Sequence, residues 1–289
     1  MDYVGNIIRP PSEADSIILQ VTVGCSHNKC TFCKAYKGEV FQVKDRDTIT
    51  QDLSFAQKHF PEKRRIFLAD GDVLSLPANK LRSIFKLIRK RLPLVTRIAC
   101  YGTARGLLGK SVAELLELKA LGLNRVYLGL ESGSDSILKM INKGSTVRQS
   151  IEVVTKLHKA KLFTSVMVLL GLGGTELSLQ HAEQTGKVLA RMSPNQIAVL
   201  TLMVLQGTPL ASEIDKGKFQ LPSPAQLLLE LKIIIEQLEN TRCQFHANHA
   251  SSYLGLSGRL PQDSGRMINQ IDMALQGKTP ITPDSQRCL

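Results

Sequence analysis

The sequence contains no run of about 18 apolar residues, the length that a membrane-spanning helix requires. Its first residues, MDYVGNIIRPPSEADS, have polar and charged breaks where a secretory signal would need an apolar core. Only six of the 289 residues are cysteines, and their uneven spread excludes a disulfide framework. We therefore expect a cytoplasmic protein that does not contact membranes.

Aromatic residues are also scarce, at 5% of the chain, and no zinc-finger pattern is present. The sequence therefore does not indicate a module that binds nucleic acid by stacking bases on aromatic side chains. The net charge is nevertheless +12, which favours anionic partners. Much of the positive charge lies in helix-like segments such as KLRSIFKLIRKRL at 80–92, where it is typical of solvated helix faces. Nucleic acid is an alternative partner, but it is not favoured.

Strand-like and helix-like segments alternate along most of the chain. Apolar stretches rich in β-branched residues predict six strands, at 16–23, 64–70, 95–102, 125–132, 162–171 and 195–204. Amphipathic stretches predict the intervening helices, at 48–60, 77–92, 111–122, 134–160 in two pieces and 176–192. This alternation predicts parallel βαβ units, and so an α/β protein that is either a doubly wound sheet or an incomplete (β/α) barrel.

We predict three regions: an N-terminal segment at 1–15, a core at 16–210, and a C-terminal extension at 211–289 packed on the same domain. In the extension, long amphipathic stretches predict helices at 223–240 and 262–276. The polar segment FHANHASSYLGLSGRLP, which lies between them, is predicted to be irregular.

Three cysteines, Cys25, Cys30 and Cys33, lie in the segment GCSHNKCTFC directly after the first predicted strand. A structural zinc site normally needs four ligands, and His27 is the neighbour that could supply the fourth. A dithiol redox pair would use Cys30 and Cys33 and leave Cys25 without a role. Chance clustering of buried cysteines does not suit the polar residues between them. The remaining interpretation is a [4Fe–4S] cluster held by three thiolates, with one iron open to a small molecule.

This segment resembles the cluster-binding loop of the radical S-adenosylmethionine (SAM) enzymes. In that family, the loop follows the first strand of a partial (β/α)6 TIM-like barrel, an aromatic residue precedes the last cysteine as Phe32 does here, and SAM chelates the open iron. The resemblance covers residues 14–210, with a helical and irregular C-terminal extension after it. Four residues separate Cys25 from Cys30, where the family usually has three, and this expansion leaves the ligand count unchanged.

The resemblance implies contacts with the methionine part of SAM at two strand ends. Ala69, Asp70, Gly71 and Asp72 stand where relatives contact the methionine amino group, and either aspartate could neutralise it. The alternative is that this acid pair is ordinary turn chemistry. Arg105, after the third strand, could pair with the methionine carboxylate, because a guanidinium binds a carboxylate bidentately.

The resemblance also implies contacts with the adenosine part. Glu131 and Ser132, which end the fourth strand, are candidates for ribose and carboxylate contacts. Gly171 and Gly173 lie in a glycine segment similar to the one near the adenine, although turns need glycine in any case. The backbone that ends at Leu205 corresponds to the segment that holds the adenine edge.

Candidate substrate-side residues lie in the polar segment of the extension. His246, His249 and Tyr253 could bind substrate or donate a proton. The alternative is that these side chains satisfy backbone groups in a loop that caps the barrel.

Two further segments, FLADGDVLSLP and GLESGSD, resemble a widespread group of small bacterial radical enzymes called coproporphyrinogen-oxidase-like Fe–S oxidoreductases. Oxygen-independent coproporphyrinogen oxidases carry another cysteine two residues after the third ligand, where this chain has Ala35, and this difference argues against a porphyrin substrate. Cys100, Cys243 and Cys288 are isolated, which argues against a second cluster.

The resemblance implies an oxygen-sensitive, monomeric radical SAM enzyme that abstracts hydrogen from a small-molecule substrate. It would use a [4Fe–4S] cluster, SAM, and an electron donor such as flavodoxin or ferredoxin. Two alternatives stay open: radical modification of RNA or protein, and a non-catalytic metal-binding or electron-transfer protein.

Overall fold

The computed structural model describes residues 1–288, which divide into two compact units. The first unit comprises Met1–Asn28, Ala35–Leu128 and Glu152–Thr164. The second comprises Lys29–Lys34, Gly129–Ile151 and the residues from Ser165 onward. Within the described residues, no helix has both the length and the apolar character needed to cross a membrane.

Parallel strands form the sheet of the first unit. β1 (Ile17–Gln20) pairs with β4 (Arg65–Ala69), β4 pairs with β5 (Arg97–Gly102), and β5 pairs with β6 (Leu123–Glu131). The short strands β2 (Thr22–Val23) and β3 (Gln42–Val43) form a separate antiparallel ribbon. Ile66, Phe67 and Leu68 in β4 are all fully buried, so neighbours cover both faces of this strand. These β4 side chains therefore belong to the core, and the acidic residues Asp70 and Asp72 come directly after the end of the strand.

Helices follow these strands as the βαβ pattern predicts. They are α1 (Arg46–His59), α2 (Ala78–Arg91), the one-turn α3 (Ala104–Leu108), and α4 (Val112–Ala120). The side chain of Ser111 accepts a hydrogen bond from the backbone N–H of Glu114, and the Glu114 side chain bonds back to the Ser111 backbone. This capping box starts α4, and the positive φ of Gly122 (+114°) follows its end.

In the second unit, β7 (Phe163–Leu170), β8 (Gln196–Thr201) and β9 (Cys243–Ala247) are parallel neighbours, and β10 (Leu256–Leu260) pairs with β9 in the antiparallel sense. The later helices of the chain are α5 (Asp135–Met140), α6 (Val147–Lys159), α7 (Ser178–Met192), α8 (Pro209–Asp215), α9 (Pro224–Glu236) and α10 (Ser264–Leu275). Short 3₁₀ turns occur at Pro11–Glu13, Val73–Ser75 and Asp284–Gln286.

The α/β class and all six predicted strands are confirmed, with boundaries that move by a few residues. The prediction that residues 245–261 are irregular is wrong at both ends, because β9 and β10 lie there. β9 is a short strand with alternating burial, in which Cys243, Phe245 and Ala247 face inward and the polar residues between them are half-buried. The helix predicted at 223–240 ends at Glu236, and α3 and α8 were not predicted. The proposed region boundaries at residues 15 and 210 stay a prediction.

Candidate functional site

In the first unit, the turn after β4 holds the backbone that leads to Cys25. Asp70 is 1% exposed, and its Oδ2 accepts hydrogen bonds from the Gly24 backbone N–H at 2.7 Å and from Gln20 Nε2 at 2.9 Å. The backbone N–H of Gly71 donates to the Gly24 carbonyl at 3.1 Å. Burial raises the pKa of the Asp70 carboxyl. Asp70 therefore holds the backbone of Gly24, the residue that precedes Cys25.

Even the methyl side chain of alanine would not fit at position 71 without a shift of its neighbours. A Cβ on Gly71 would lie 2.9 Å from Tyr36 Cε2 and 3.0 Å from Cys25 Cβ. Ala69, which ends β4, is fully buried beside it. The backbone after β4 thus approaches Cys25 as closely as only glycine allows.

Two acidic residues at strand ends adopt a backbone conformation that favours glycine. Asp70 after β4 has φ +76°, and Glu131 at the end of β6 has φ +66°. In addition, Asp70 Oδ1 is buried and accepts no hydrogen bond from any residue that the structure describes. Backbone strain of this kind and orphaned buried oxygens are typical of functional sites. Each of these two strand ends thus has a feature that fits a ligand-binding role.

Asp72 ties together three segments of the first unit. It is fully buried, and its carboxylate accepts hydrogen bonds from Thr103 Oγ1 at 2.9 Å, from the Thr103 backbone N–H at 3.2 Å, and from the Ser26 hydroxyl. Thr103 in turn caps α3 by accepting from the Gly106 N–H at 2.9 Å. Ser26 adjoins Cys25, so Asp72 fixes the cysteine segment from its other side.

The predicted contact of Asp70 or Asp72 with the methionine amino group stays a prediction, because both carboxylates already accept hydrogen bonds inside the first unit. Arg105 is exposed at the start of α3, and its Nη1 lies 3.5 Å from His27 Nδ1. A guanidinium in this position is able to bind an external carboxylate.

Cys30 and Cys33 lie in the second unit, in a segment held by the backbone of Thr31. The Thr31 N–H donates to the Ile141 carbonyl at 2.9 Å, and the Thr31 carbonyl accepts from the Leu210 N–H at 3.0 Å. These bonds attach the segment to the end of α5 and to α8. The Cys33 N–H also donates to the Cys30 carbonyl, at 3.4 Å.

Phe32, which lies between Thr31 and Cys33, is partly buried and supplies the apolar contact of the segment. It packs against a buried cluster that consists of Ile137, Leu138, Ile141, Leu169, Leu172, Leu202 and Leu210. The position of the cysteine segment in the second unit thus depends on main-chain hydrogen bonds and apolar packing.

The six cysteines differ in exposure, and none forms a disulfide. Cys25, Cys30 and Cys33 are partly exposed, whereas Cys100 and Cys243 are buried. Burial raises the pKa of the Cys243 thiol to about 11 and raises that of Cys100 even further. Because the thiolate is the metal ligand, the three partly exposed thiols fit a cluster-binding role.

Among the described residues, no three His, Cys, Asp or Glu side chains group as ligands of a single metal ion. Each thiolate of an iron–sulfur cluster binds a different iron, so such a cluster does not require its ligands to converge on one point.

In the second unit, Glu131 is already paired. Its Oε1 lies 2.7 Å from Lys143 Nζ, and the two side chains are 16% and 11% exposed. Lys143 follows α5 and has no sequence signature that would predict this ion pair. The ion pair uses Oε1 and holds the carboxylate at the end of β6, where it is able to accept hydrogen bonds from hydroxyl groups such as those of a ribose.

Ser132 takes part in a buried network with a histidine that sequence reasoning missed. Ser132 Oγ lies 2.9 Å from His181 Nδ1, and His181 Nε2 donates to the Leu169 carbonyl at 3.1 Å. Burial lowers the pKa of His181 to about 4, so this histidine is neutral with its proton on Nε2. Ser132 therefore donates to Nδ1, which connects the ends of β6 and β7 through α7.

The glycine turn after β7 is also anchored from a distance. Gly171 has φ +89°, and its N–H donates to Glu230 Oε2 at 2.8 Å. A Cβ on Gly173 would lie 2.7 Å from the Leu177 carbonyl oxygen, so this position requires glycine. After β8, the Leu205 carbonyl accepts from the Thr208 hydroxyl at 2.7 Å at the start of α8. Glu230, on α9, was not predicted.

His246 and His249 lie at and after the end of β9. His246 is half-buried in β9, opposite Ser257 of β10. His249 Nδ1 accepts from the Ser251 N–H at 3.1 Å and lies 2.9 Å from Ser251 Oγ. Burial lowers the pKa of His249 and so favours the neutral ring. Because Nδ1 accepts from the Ser251 N–H, the neutral ring carries its proton on Nε2. This neutral ring is able to donate a hydrogen bond from Nε2, and transfer of a proton would use the imidazolium form.

Tyr253 is 8% exposed, and its hydroxyl is occupied. It donates to Asp284 Oδ1 at 2.6 Å, and the Arg287 guanidinium lies 3.8 Å from the ring centroid. Burial and the hydrogen bond to Asp284 raise the pKa of Tyr253 to about 12. These contacts favour the alternative in which Tyr253 holds the loop, and its predicted substrate contact stays a prediction.

Within the first unit, the structure thus brings together Cys25 and the predicted residues Ala69, Asp70, Gly71 and Asp72, with Arg105 on the adjoining α3. The second unit contains the other predicted residues, which are Cys30, Phe32, Cys33, Glu131, Ser132, Gly171, Gly173, Leu205, His246, His249 and Tyr253.

Several known proteins are similar to this chain in sequence or in fold. The chain is 22% identical to the heme chaperone HemW of Bacillus subtilis over 74% of this chain and 56% of HemW. It is 26% identical to anaerobilin synthase of Escherichia coli O157:H7 over 68% of this chain and 45% of that enzyme. The structure of coproporphyrinogen III oxidase HemN from Escherichia coli, a radical SAM enzyme, matches with a TM-score of 0.60 at 17% identity, over 94% of this chain and 61% of HemN.

The chain spans 45% to 61% of the length of these three proteins. The structural match confirms the fold that the sequence resemblance implied. A model of the Radical SAM superfamily matches residues 19–185, which is more than half of the chain. This protein therefore belongs to the radical SAM superfamily, whose members are enzymes that use a [4Fe–4S] cluster and SAM.

Proposed function

We propose that this chain is a radical SAM enzyme that removes a hydrogen atom from a small-molecule substrate, with Cys25, Cys30 and Cys33 as the cluster ligands. When bound, the [4Fe–4S] cluster would be held by these three thiolates and would pass one electron from an external donor to SAM. The C5′–S bond would break to give methionine and the 5′-deoxyadenosyl radical that abstracts the hydrogen. The observation that carries the proposal is the set of three partly exposed thiols after β1 in a chain of this superfamily.

The residues of the chain position the cofactors. Asp70 and Asp72 fix the backbone on both sides of Cys25, and Thr31 fixes the segment of the other two cysteines. Arg105 binds the methionine carboxylate, and the backbone after β4 receives the amino group. Glu131 accepts from the ribose, and the turns at Gly171 and before Leu205 hold the adenine.

The net charge of +12 supports two further parts of the proposal. It suits a substrate that carries carboxylate or phosphate groups, and it suits an acidic electron donor such as flavodoxin or ferredoxin. We propose that the enzyme acts as a monomer.

The test is anaerobic reconstitution of the purified protein, followed by iron and sulfide analysis, reduction, and an assay of 5′-deoxyadenosine after SAM is added. We expect about four irons per chain, as a [4Fe–4S] cluster contains, and formation of 5′-deoxyadenosine. Cys30→Ala should abolish SAM cleavage, and retained cleavage would overturn the cysteine assignment. Zinc in place of iron, or a cluster that is indifferent to SAM, would favour the non-catalytic metal-binding or electron-transfer alternative.

His249 is the candidate proton donor on the substrate side. His249→Gln should keep SAM cleavage but reduce product formation once a substrate has been found, because the amide of glutamine cannot replace the imidazole as a proton donor. Loss of folded protein would instead assign His249 a structural role. His246 is tested in the same way.

Modification of RNA or protein is the second candidate function, and the positive charge is the observation that favours it. Binding to RNA that weakens steeply as salt rises would support this alternative. Absence of such binding, with turnover of a small molecule, would support the first proposal.

A further inference from the structure

Glu230 is a buried carboxylate that accepts hydrogen bonds from both ends of the turn after β7. It lies on α9, is fully buried, and uses both of its oxygens. Oε2 accepts from the Gly171 N–H at 2.8 Å, and Oε1 accepts from Ser178 Oγ at 2.7 Å. Gly171 is the first residue after β7, and Ser178 is the first residue of α7. One side chain therefore fixes both ends of the glycine turn.

A second charged residue fixes the end of the neighbouring strand. Arg287 has a side chain that is 6% exposed. Its Nη2 donates to the Leu202 carbonyl at 3.4 Å, and its Nε donates to the Ser251 carbonyl at 2.7 Å. Leu202 directly follows β8, as Gly171 follows β7. The guanidinium is held in turn by Asp284 at 2.6 Å and by the ring of Tyr253.

The two anchored strand ends are connected to each other. The Leu202 N–H donates to the carbonyl of Leu170, the last residue of β7, at 3.0 Å. Glu230 and Arg287 thus act on a continuous piece of hydrogen-bonded backbone. Both residues lie outside residues 19–185, the part that matches the superfamily model.

We propose that Glu230 and Arg287 are positioning residues for the adenosine part of SAM, and that the C-terminal region thereby forms the outer support of the cofactor site. This inference rests on the proposed function, in which the backbone after β7 and β8 holds the adenine. Neither Gly171 nor Leu202 has a polar side chain that could hold its own turn. Their backbone groups are instead held by the side chains of Glu230 and Arg287. Preorganised backbone binds a ligand more tightly, since less ordering is required on binding.

The experiment measures the affinity of reconstituted protein for S-adenosylhomocysteine, a probe that is not cleaved, by anaerobic titration calorimetry. Glu230→Leu removes both acceptors and should weaken binding about tenfold, the effect of losing one buried hydrogen bond to a charged group. Arg287→Met should weaken it by a similar factor. Glu230→Gln should restore affinity to within about twofold, because its amide oxygen accepts from Gly171 and its amide N–H donates to Ser178.

Hydrogen exchange of the peptide that contains Gly171 separates positioning from simple stabilisation. Exchange at this peptide should accelerate in Glu230→Leu and remain slow in Glu230→Gln. Lys232→Met is the matched control on the same helix: it removes the 2.6 Å ion pair with Asp272 and should leave probe affinity unchanged. If Glu230→Leu does not fold, Ser178→Ala provides a milder loss of the same anchor, with faster exchange and about threefold weaker binding expected.

The outcomes distinguish the two proposals. Wild-type protein that contains the cluster but does not bind S-adenosylhomocysteine would contradict the proposed function. Wild-type binding together with unchanged affinity in the folded variants of Glu230, Ser178 and Arg287 would overturn the positioning role and leave the proposed function intact. Loss of affinity in Lys232→Met equal to that in Glu230→Leu would also overturn it.

Discussion

The two units stabilise their strand ends in different ways. In the first unit, the carboxylates belong to the turn that they organise: Asp70 and Asp72 follow β4 directly and accept hydrogen bonds from Gly24 and Thr103. In the second unit, the turn after β7 begins with Gly171, and its carboxylate comes from Glu230, 59 residues away. A local acid is visible as a sequence motif, whereas a remote acid is not. The comparison therefore separates what a motif indicates from what packing supplies.

The largest expected effect is at Asp72. Asp72→Ala should lower the free energy of unfolding by about 4 kcal/mol, because Thr103 and Ser26 lose a buried charged acceptor. Iron content after reconstitution should fall with it, since Ser26 adjoins Cys25. The measurements are urea unfolding and iron analysis. Asp72→Asn is the control and should retain part of both; unchanged stability and iron in Asp72→Ala would show that the local acid is dispensable.

The next largest effect is expected for Glu230→Gln, which should raise the free energy of unfolding by an amount that depends on pH. Burial raises the pKa of Glu230 to about 7, against 4.5 for an ordinary glutamate. The folded state therefore holds this proton more tightly than the unfolded state, and stability is lost as pH rises from 4.5 through 7. Glu230→Gln cannot ionise, so at pH 8 it should be more stable than the wild type by about 3 kcal/mol.

The groups that face Glu230 are Ser178, the Gly171 N–H and His181, whose Nε2 lies 4.0 Å away. His181 has its pKa lowered to about 4 by burial and stays neutral from pH 5 to pH 8. Urea unfolding of both proteins at pH 5 and pH 8 measures the difference. A constant difference between the two pH values would contradict the raised pKa.

A smaller effect is expected at Phe32, where the cysteine segment of the second unit depends on packing. Phe32→Ala should cost about 2 kcal/mol, because the ring is only partly buried. The iron content should fall less than in Asp72→Ala, since the backbone bonds of Thr31 remain. Phe32→Leu is the matched control and should be close to the wild type. Loss of iron in Phe32→Ala that equals the loss in Asp72→Ala would remove the distinction between the two segments.

The smallest effect on stability is expected at Arg105, which is exposed. Arg105→Gln should change the free energy of unfolding by less than about 0.5 kcal/mol. It should weaken S-adenosylhomocysteine binding several-fold, because the proposed role of the guanidinium is to pair with the amino-acid carboxylate of the ligand. Binding of 5′-methylthioadenosine, which lacks that carboxylate, should not change. Equal weakening for both ligands would contradict the assignment of Arg105.

Much of the fold was predictable because its signals are local. The β-branched runs, the Ser111–Glu114 capping box and the close spacing of Cys25, Cys30 and Cys33 each lie within a few residues. β9 was missed because its polar residues, among them His246, obscured a short pattern of alternating burial. The functional interpretation of Tyr253 could not anticipate Asp284 and Arg287, which reach it from a later segment.

By itself, the sequence determined the strand–helix alternation, the cysteine segment and the family, because these depend on residue type and spacing along the chain. Tertiary structure alone decided that Asp70 and Asp72 turn inward to Gly24 and Thr103, and that Glu230 reaches Gly171. The reason is that a buried polar group must find a partner wherever the fold places one, and sequence distance sets no limit on that choice.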